Sequence, residues 1–133
     1  MSRTRLPTAL LVDDDETSRL LVRLFIEQAD INVVEAETAE AGLALGHARR
    51  FDLCLIDGML PRMDGFQLVS ALRNLAEYRD VPLVILSGLD GPEWPVKAIA
   101  AGATRFLHKT DDWNDLVEIV KQLISAPPPT RGP

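Results

Sequence analysis

Five short apolar runs, each followed by a longer amphipathic stretch, restrict this chain more than any other feature. Ala9-Leu10-Leu11-Val12 reads as a buried strand ended by Asp13-Asp14-Asp15. A helix is predicted over about 16–28, with Leu20, Leu21, Leu24, Phe25 and Gln28 near one face. Residues 31–35 make a second, shorter strand, and Thr38 caps a helix whose face includes Ala41, Leu45 and Ala48. Leu53-Cys54-Leu55-Ile56 is apolar throughout, as a strand covered on both faces should be, and Asp57 ends it. Pro61 and Gly65 break the loop over 58–65. The third helix, about 65–75, buries Phe66, Val69 and Leu72. The fourth strand, 81–86, ends in Ser87-Gly88, and the helix over 93–101 stops at Gly102. The fifth strand, 104–107, ends in His108-Lys109. The last helix, about 112–124, has the cleanest helical spacing: Trp113, Leu116, Val117, Val120, Leu123 and Ile124.

Five βα units in succession predict an α/β domain with a parallel sheet and helices on both faces. Residues 1–125 form that one domain, a size that suits a single core. Residues 126–133 contain Pro127-Pro128-Pro129 and Gly132-Pro133, and read as a Pro-rich tail or linker stub. No apolar run is long enough to span a membrane, and the segment around Arg3 and Arg5 is not a signal peptide. The net charge of −6 argues against a nucleic-acid surface, and the Arg49-Arg50 pair is a solvated helix end. Cys54 is the single cysteine, so the chain has no internal disulfide and a cytoplasmic location is expected. Inside its apolar run, Cys54 is a small buried hydrophobe rather than a reactive thiol.

Doubly wound sheets bind ligands beyond the carboxyl ends of their strands. Strand one ends there in Asp13 and Asp14, strand three in Asp57, strand four in Ser87 and strand five in Lys109. Taken singly, each residue has an ordinary explanation. An acidic triplet caps helices, a serine serves a turn, and a lysine is solvated. The coincidence of four strand ends is what those explanations lack. Three carboxylates in one pocket repel one another, and a hard divalent cation relieves the repulsion. Mg²⁺ takes oxygen ligands, keeps several waters and joins carboxylates to phosphate. A nucleophilic carboxylate, two metal-holding carboxylates, a compact cation and a hydroxyl together suit a phosphoryl acceptor.

The chain resembles the receiver domain of two-component response regulators, the fold of the bacterial chemotaxis receiver. The resemblance rests on Leu11-Val12-Asp13-Asp14-Asp15 with Arg19, on the run from Leu55 through Asp57 and Pro61 to Gly65, on Pro82 through Ser87 to Gly88, and on Ala101-Gly102-Ala103 through Lys109. It implies a single flavodoxin-like, doubly wound (βα)5 domain whose five-stranded parallel sheet has the order 2-1-3-4-5. It implies that Asp57 accepts a phosphoryl group from the phosphohistidine of a histidine kinase or phosphotransfer protein. Asp14 then matches the direct Mg²⁺ ligand, Asp13 its acidic neighbour, and Met59 a ligand through its backbone carbonyl; Mn²⁺ is the alternative ion. Ser87 matches the switch hydroxyl, Phe106 the switch aromatic, and Lys109 the lysine paired with the acceptor. The surface of helix four, strand five and helix five would change on phosphorylation, and a homodimer could form through it. Such a domain assists its own phosphorylation and dephosphorylation rather than turning over a substrate.

Two positions depart from the family pattern. Thr110 stands where Pro usually follows the lysine, often after a cis bond. A non-proline cis peptide costs about 2.5–4 kcal/mol, which implies either a trans bond and a reshaped loop or a strained exception. Gly88 stands where a small residue such as Ala is common, which loosens that loop. Two other readings compete: a pseudo-receiver acting as a phosphorylation-independent interaction module, and an unrelated aspartate-nucleophile phosphohydrolase, for which the chain has no cap insertion. His47 and His108 have surface or packing roles.

Overall fold

A computed structural model of the chain describes residues 5–109 and 112–125. Thr110 and the tail over 126–133 lie outside the described residues. The element order is β1 (Thr8–Val12), α1 (Glu16–Glu27), β2 (Asn32–Ala36), α2 (Ala39–Ala48), β3 (Leu53–Asp57), α3 (Gly65–Arg73), a 3-10 turn (Ala76–Tyr78), β4 (Leu83–Ser87), α4 (Glu93–Ala101), β5 (Arg105–His108) and α5 (Trp113–Ser125). The strands form one sheet in the order β2-β1-β3-β4-β5, and every pairing is parallel. That is the flavodoxin-like architecture the sequence implied.

All residues of β1, β3 and β4 are buried, which is why these runs show no polar alternation. The two-residue period of a strand divides them between two cores. Leu10, Val12, Cys54, Ile56 and Ile85 pack with α2, α3 and α4 residues such as Ala39, Phe66 and Ala98. Ala9, Leu11, Leu53, Leu55 and Val84 pack with Val22 and Ile26 of α1 and Leu116 and Val120 of α5. The edge strands β2 and β5 are only partly covered. Among the described residues no helix is long and apolar enough to cross a membrane.

Two helices turn a different face inward from the one expected. In α1 the buried residues are Val22 and Ile26, whereas Leu20, Leu21 and Leu24 are 53%, 42% and 49% exposed. The helix phase is set at its start, where Asp15 caps Ser18 N–H and Arg19 donates to the Asp13 carbonyl and to Glu35. Those anchors outweigh the number of leucines on the other side. In α2 the fully buried positions are Ala39, Gly42 and Gly46; of the residues expected inside, Leu45 is half-buried against the core, whereas Ala41 and Ala48 are exposed. A Cβ on Gly42 would lie 2.8 Å from Val12 Cγ2, and one on Gly46 would lie 2.8 Å from Leu72 Cδ2. Hydrophobic periodicity overlooks glycine as a contact residue, although here it is what lets the helix approach so closely.

The 3-10 turn between α3 and β4 was not expected. It buries Tyr78, whose hydroxyl lies 2.8 Å from the Arg49 carbonyl and 3.0 Å from the Gly46 carbonyl and accepts from Phe51 N–H. Arg73 then donates to the carbonyls of Tyr78, Val81 and Gly102, tying the end of α3 to the end of α4. Gly102 ends α4 at φ 109°, as its sequence position suggested.

The phase of α1 can be tested by truncation. Ile26→Ala is expected to cost about 2–5 kcal/mol in urea unfolding, the cost of emptying a packed site. Leu20→Ala should stay within about 0.5 kcal/mol, because its side chain is half in water.

Candidate functional site

The strand order brings the ends of β1, β3, β4 and β5 side by side at one edge of the sheet. β3 pairs Asp57 with Leu86, and β4 pairs Ser87 with His108. Lys109 N–H donates to the Ser87 carbonyl at 2.8 Å, which fixes where the lysine leaves the sheet. Gly65 sits so close below β3 that a Cβ there would fall on the Asp57 carbonyl oxygen. The loop from Asp57 to α3 therefore closes tightly, and Gly65 N–H donates to the Gly58 carbonyl. Asp64 and Gln67 form a reciprocal capping box that starts α3.

Asp13, Asp14 and Asp57 each present a carboxylate oxygen within 4.8 Å of the other two. Asp13 and Asp57 are buried and Asp14 is exposed. Lys109 Nζ lies 3.0 Å from Asp13 Oδ2 and 3.2 Å from Asp57 Oδ2. The lysine thus reaches both carboxylates. Asp57 Oδ1 accepts Met59 N–H at 3.0 Å. The Met59 side chain is 58% exposed, so only its backbone bears on the site.

Ser87 is fully buried beside Asp57, but its hydroxyl accepts Leu89 N–H at 3.1 Å and makes no hydrogen bond to Asp57 among the described residues. Phe106 is partly buried and packs on the α2–α4 side of the sheet. A Cβ on Gly88 would meet nothing within 4 Å, so the loop has room for alanine there. His108 Nε2 lies 2.9 Å from Asp90 Oδ1, and His47 is exposed at the end of α2. Burial pushes the Cys54 thiol up to about 12, consistent with an inert core residue.

Two contributors were missed in the sequence. Ser18 donates to Asp13 Oδ2 at 2.7 Å, and Arg19, although part of the recognised motif, donates to the Asp13 carbonyl at 2.8 Å. The usable signal was Asp15, which as helix cap places Ser18 and Arg19 on the side facing Asp13.

The charges of the cluster are unequal. Burial raises Asp57 to about 6, and the Asp13 charge adds to it, against Met59 N–H and Lys109. Burial also acts to raise Asp13, but hydrogen bonds from Ser18, Asp15 N–H and Lys109 outweigh it and hold Asp13 below its usual range. Lys109 is pushed up despite its burial by its bond to Asp13 and the charge of Asp57. Three converging hard oxygen donors, one of them open to solvent, fit a hard divalent cation.

Known proteins share this fold and sequence pattern. The family described as the response regulator receiver domain matches residues 9–121. The chain is 30% identical over 119 residues to the DNA-binding dual master transcriptional regulator RpaA of Synechocystis, covering 90% of this chain and 49% of that protein. It is 29% identical over 115 residues to the cell cycle response regulator CtrA of Brucella ovis, covering 86% of this chain and 49% of that protein. The chain thus spans about half the length of these two curated relatives. Over 120 residues it is 32% identical to a 14.6 kDa protein of Leptolyngbya boryana, covering 90% of this chain and 92% of that one. Among solved structures, the chemotaxis protein CheY4 of Vibrio cholerae superposes with a TM-score of 0.83 at 28% identity, over 90% of this chain and 99% of that one. With a continuous family match over most of its length, the chain belongs to the response regulator receiver domain family of two-component signalling.

Proposed function

We propose that Asp57 is the phosphoacceptor of this receiver domain and that the site works with a bound divalent cation, Mg²⁺ or Mn²⁺. The observation that carries this reading is the placement of Lys109 between Asp13 and Asp57, with Asp14 completing a convergent set of oxygens. Asp13, Asp14, Asp57 and the Met59 carbonyl would hold the ion. When bound, it supplies positive charge that offsets the carboxylates and the incoming phosphoryl oxygens.

The donor is the phosphohistidine of a histidine kinase or phosphotransfer protein. The P–N bond breaks as a P–O bond to the Asp57 carboxylate forms, and the imidazole departs. Burial favours this role because the Asp57 carboxylate is poorly solvated yet ionised at neutral pH. Lys109 is placed to pair with the phosphoryl oxygens while keeping Asp13 as its second partner. The Ser87 hydroxyl would leave Leu89 N–H and donate to the new phosphoryl group, and Phe106 would turn inward behind it. Having no hydroxyl, Phe106 can do so without stranding a polar atom. The readout surface is α4, β5 and α5, where Val96 and Ile99 are 70% and 56% exposed and available to a partner or a second copy.

Incubation with acetyl phosphate and Mg²⁺, followed by intact mass spectrometry, is expected to add one phosphoryl group to the wild type and none to Asp57→Ala. An unmodified wild type, under conditions that phosphorylate another receiver, would favour the interaction module; an adduct surviving the substitution would place the acceptor elsewhere.

The buried charge also has a stability consequence. Asp57 titrates at about 6 in the fold against 3.8 ordinarily, so between these values the folded state holds a proton that the unfolded chain has lost. Its contribution to stability is therefore full below about pH 4 and is lost as pH rises through about 6. In chelator at neutral pH, Asp57→Asn should raise stability by on the order of 1–3 kcal/mol in urea unfolding, with the gain shrinking toward pH 4. A gain independent of pH would show that relief of buried charge is not its source.

A further inference from the structure

Helices α1 and α3 begin alike, with an aspartate cap, but use their third helical position differently. In α3 that position is Gln67, whose Oε1 accepts the N–H of the cap residue Asp64 at 2.9 Å. In α1 it is Ser18, which is too short to reach back in this way. The N–H of the cap residue Asp15 goes instead to Asp13 Oδ1 at 2.9 Å. The Ser18 hydroxyl is released from capping and donates to Asp13 Oδ2 at 2.7 Å.

Asp13 Oδ2 consequently has two donors, Ser18 Oγ from the helix and Lys109 Nζ from across the sheet. A carboxylate accepts about two hydrogen bonds per oxygen, so this one is full. Arg19 holds the same residue through its backbone carbonyl. Asp14, by contrast, accepts no hydrogen bond among the described residues and is exposed, so it can turn toward a cation. The orientation of Asp13 is thus decided outside the carboxylate cluster.

We propose that Ser18 is a positioning residue of the acidic site, its hydroxyl holding Asp13 against Lys109 in the orientation that lets the Asp13, Asp14 and Asp57 oxygens converge on a divalent cation. The inference rests on the reading of this site as a cation-dependent phosphoacceptor. Without the hydroxyl, Asp13 Oδ2 is held only by Lys109, whose ammonium ends a flexible four-carbon stem. The carboxylate then keeps Asp15 N–H on Oδ1 as its remaining fixed anchor and can pivot about it together with the lysine. Outer partners of this kind typically carry about 10–100-fold in metal affinity.

The test compares wild type with Ser18→Ala, Ser18→Thr and Ser18→Val. Thr and Val have nearly the same shape and differ by the hydroxyl alone. Mg²⁺ affinity is measured by calorimetry, with thermal unfolding in chelator to follow the fold. Loss of the hydroxyl, in Ala and Val, is expected to weaken Mg²⁺ binding about tenfold or more, while Thr stays within about threefold of wild type. The Mg²⁺ concentration for half-maximal phosphorylation of Asp57 should rise in step with the dissociation constant, by more than the maximal rate falls. A merely structural role would lower the unfolding temperature and leave Mg²⁺ affinity alone. Affinities within about twofold across all four proteins would overturn the inference, as would Thr binding as weakly as Val. If the wild type binds no Mg²⁺, the cation-dependent reading of the site fails together with the inference. Normal wild-type binding and phosphorylation with no dependence on the hydroxyl defeats the inference alone.

Discussion

Lys109 Nζ stands 3.0 Å from one buried carboxylate and 3.2 Å from another, and the carboxyl edge of the sheet is organised around that contact. Asp13 and Asp57 end neighbouring strands with almost no access to solvent. Two such charges side by side repel each other and lose hydration, and one would take up a proton without compensation. The lysine supplies that compensation from the far strand of the sheet. It arrives there through backbone register, because Lys109 N–H bonds the Ser87 carbonyl as β5 leaves β4. The reach of the side chain therefore depends first on the sheet and only afterwards on the loop that follows it.

The compensation is partial and unevenly shared. Asp13 gathers donors from Ser18, Asp15 and Lys109 and is stabilised as an anion, whereas Asp57 has Met59 N–H and the more distant lysine contact. The group left under-stabilised is Asp57, the one proposed above as the phosphoacceptor. Its incomplete solvation is a cost to the fold. Close packing keeps the arrangement rigid beneath. Gly65 allows α3 to start directly against the Asp57 backbone, and Gly42 and Gly46 let α2 settle onto Val12 and Leu72.

Much of this was legible from residue order. The apolar runs of β1, β3 and β4 show no polar alternation because both faces are covered, so their positions could be read within two residues at either end. Polar residues end those strands abruptly, which marked Asp13, Asp57 and Ser87 before any contact was known. The faces of α1 and α2 were misread because periodicity counts large apolar side chains. In α1 the capping and ion-pair anchors of Ser18 and Arg19 set the phase, and in α2 glycines form the contact. The 3-10 turn with Tyr78 gave no periodic signal, since its support comes from carbonyls of α2 and the α2–β3 connection more than 25 residues away, at separations of 29 and 32.

The sequence by itself determined the alternation of strands and helices, and through the four strand-end motifs it determined the family and the identities of the acidic, hydroxyl and lysine residues. Those follow from local rules of hydrophobic period and strand termination, which act over a few residues. Only the tertiary structure decided how the residues meet: Lys109 across 96 positions from Asp13, Ser18 on the same carboxylate oxygen, and Ser87 turned to Leu89 rather than to Asp57. Hydrogen bonds of that kind depend on which strands lie side by side and on the rotation of each helix about its axis. Both are settled by packing over the whole domain.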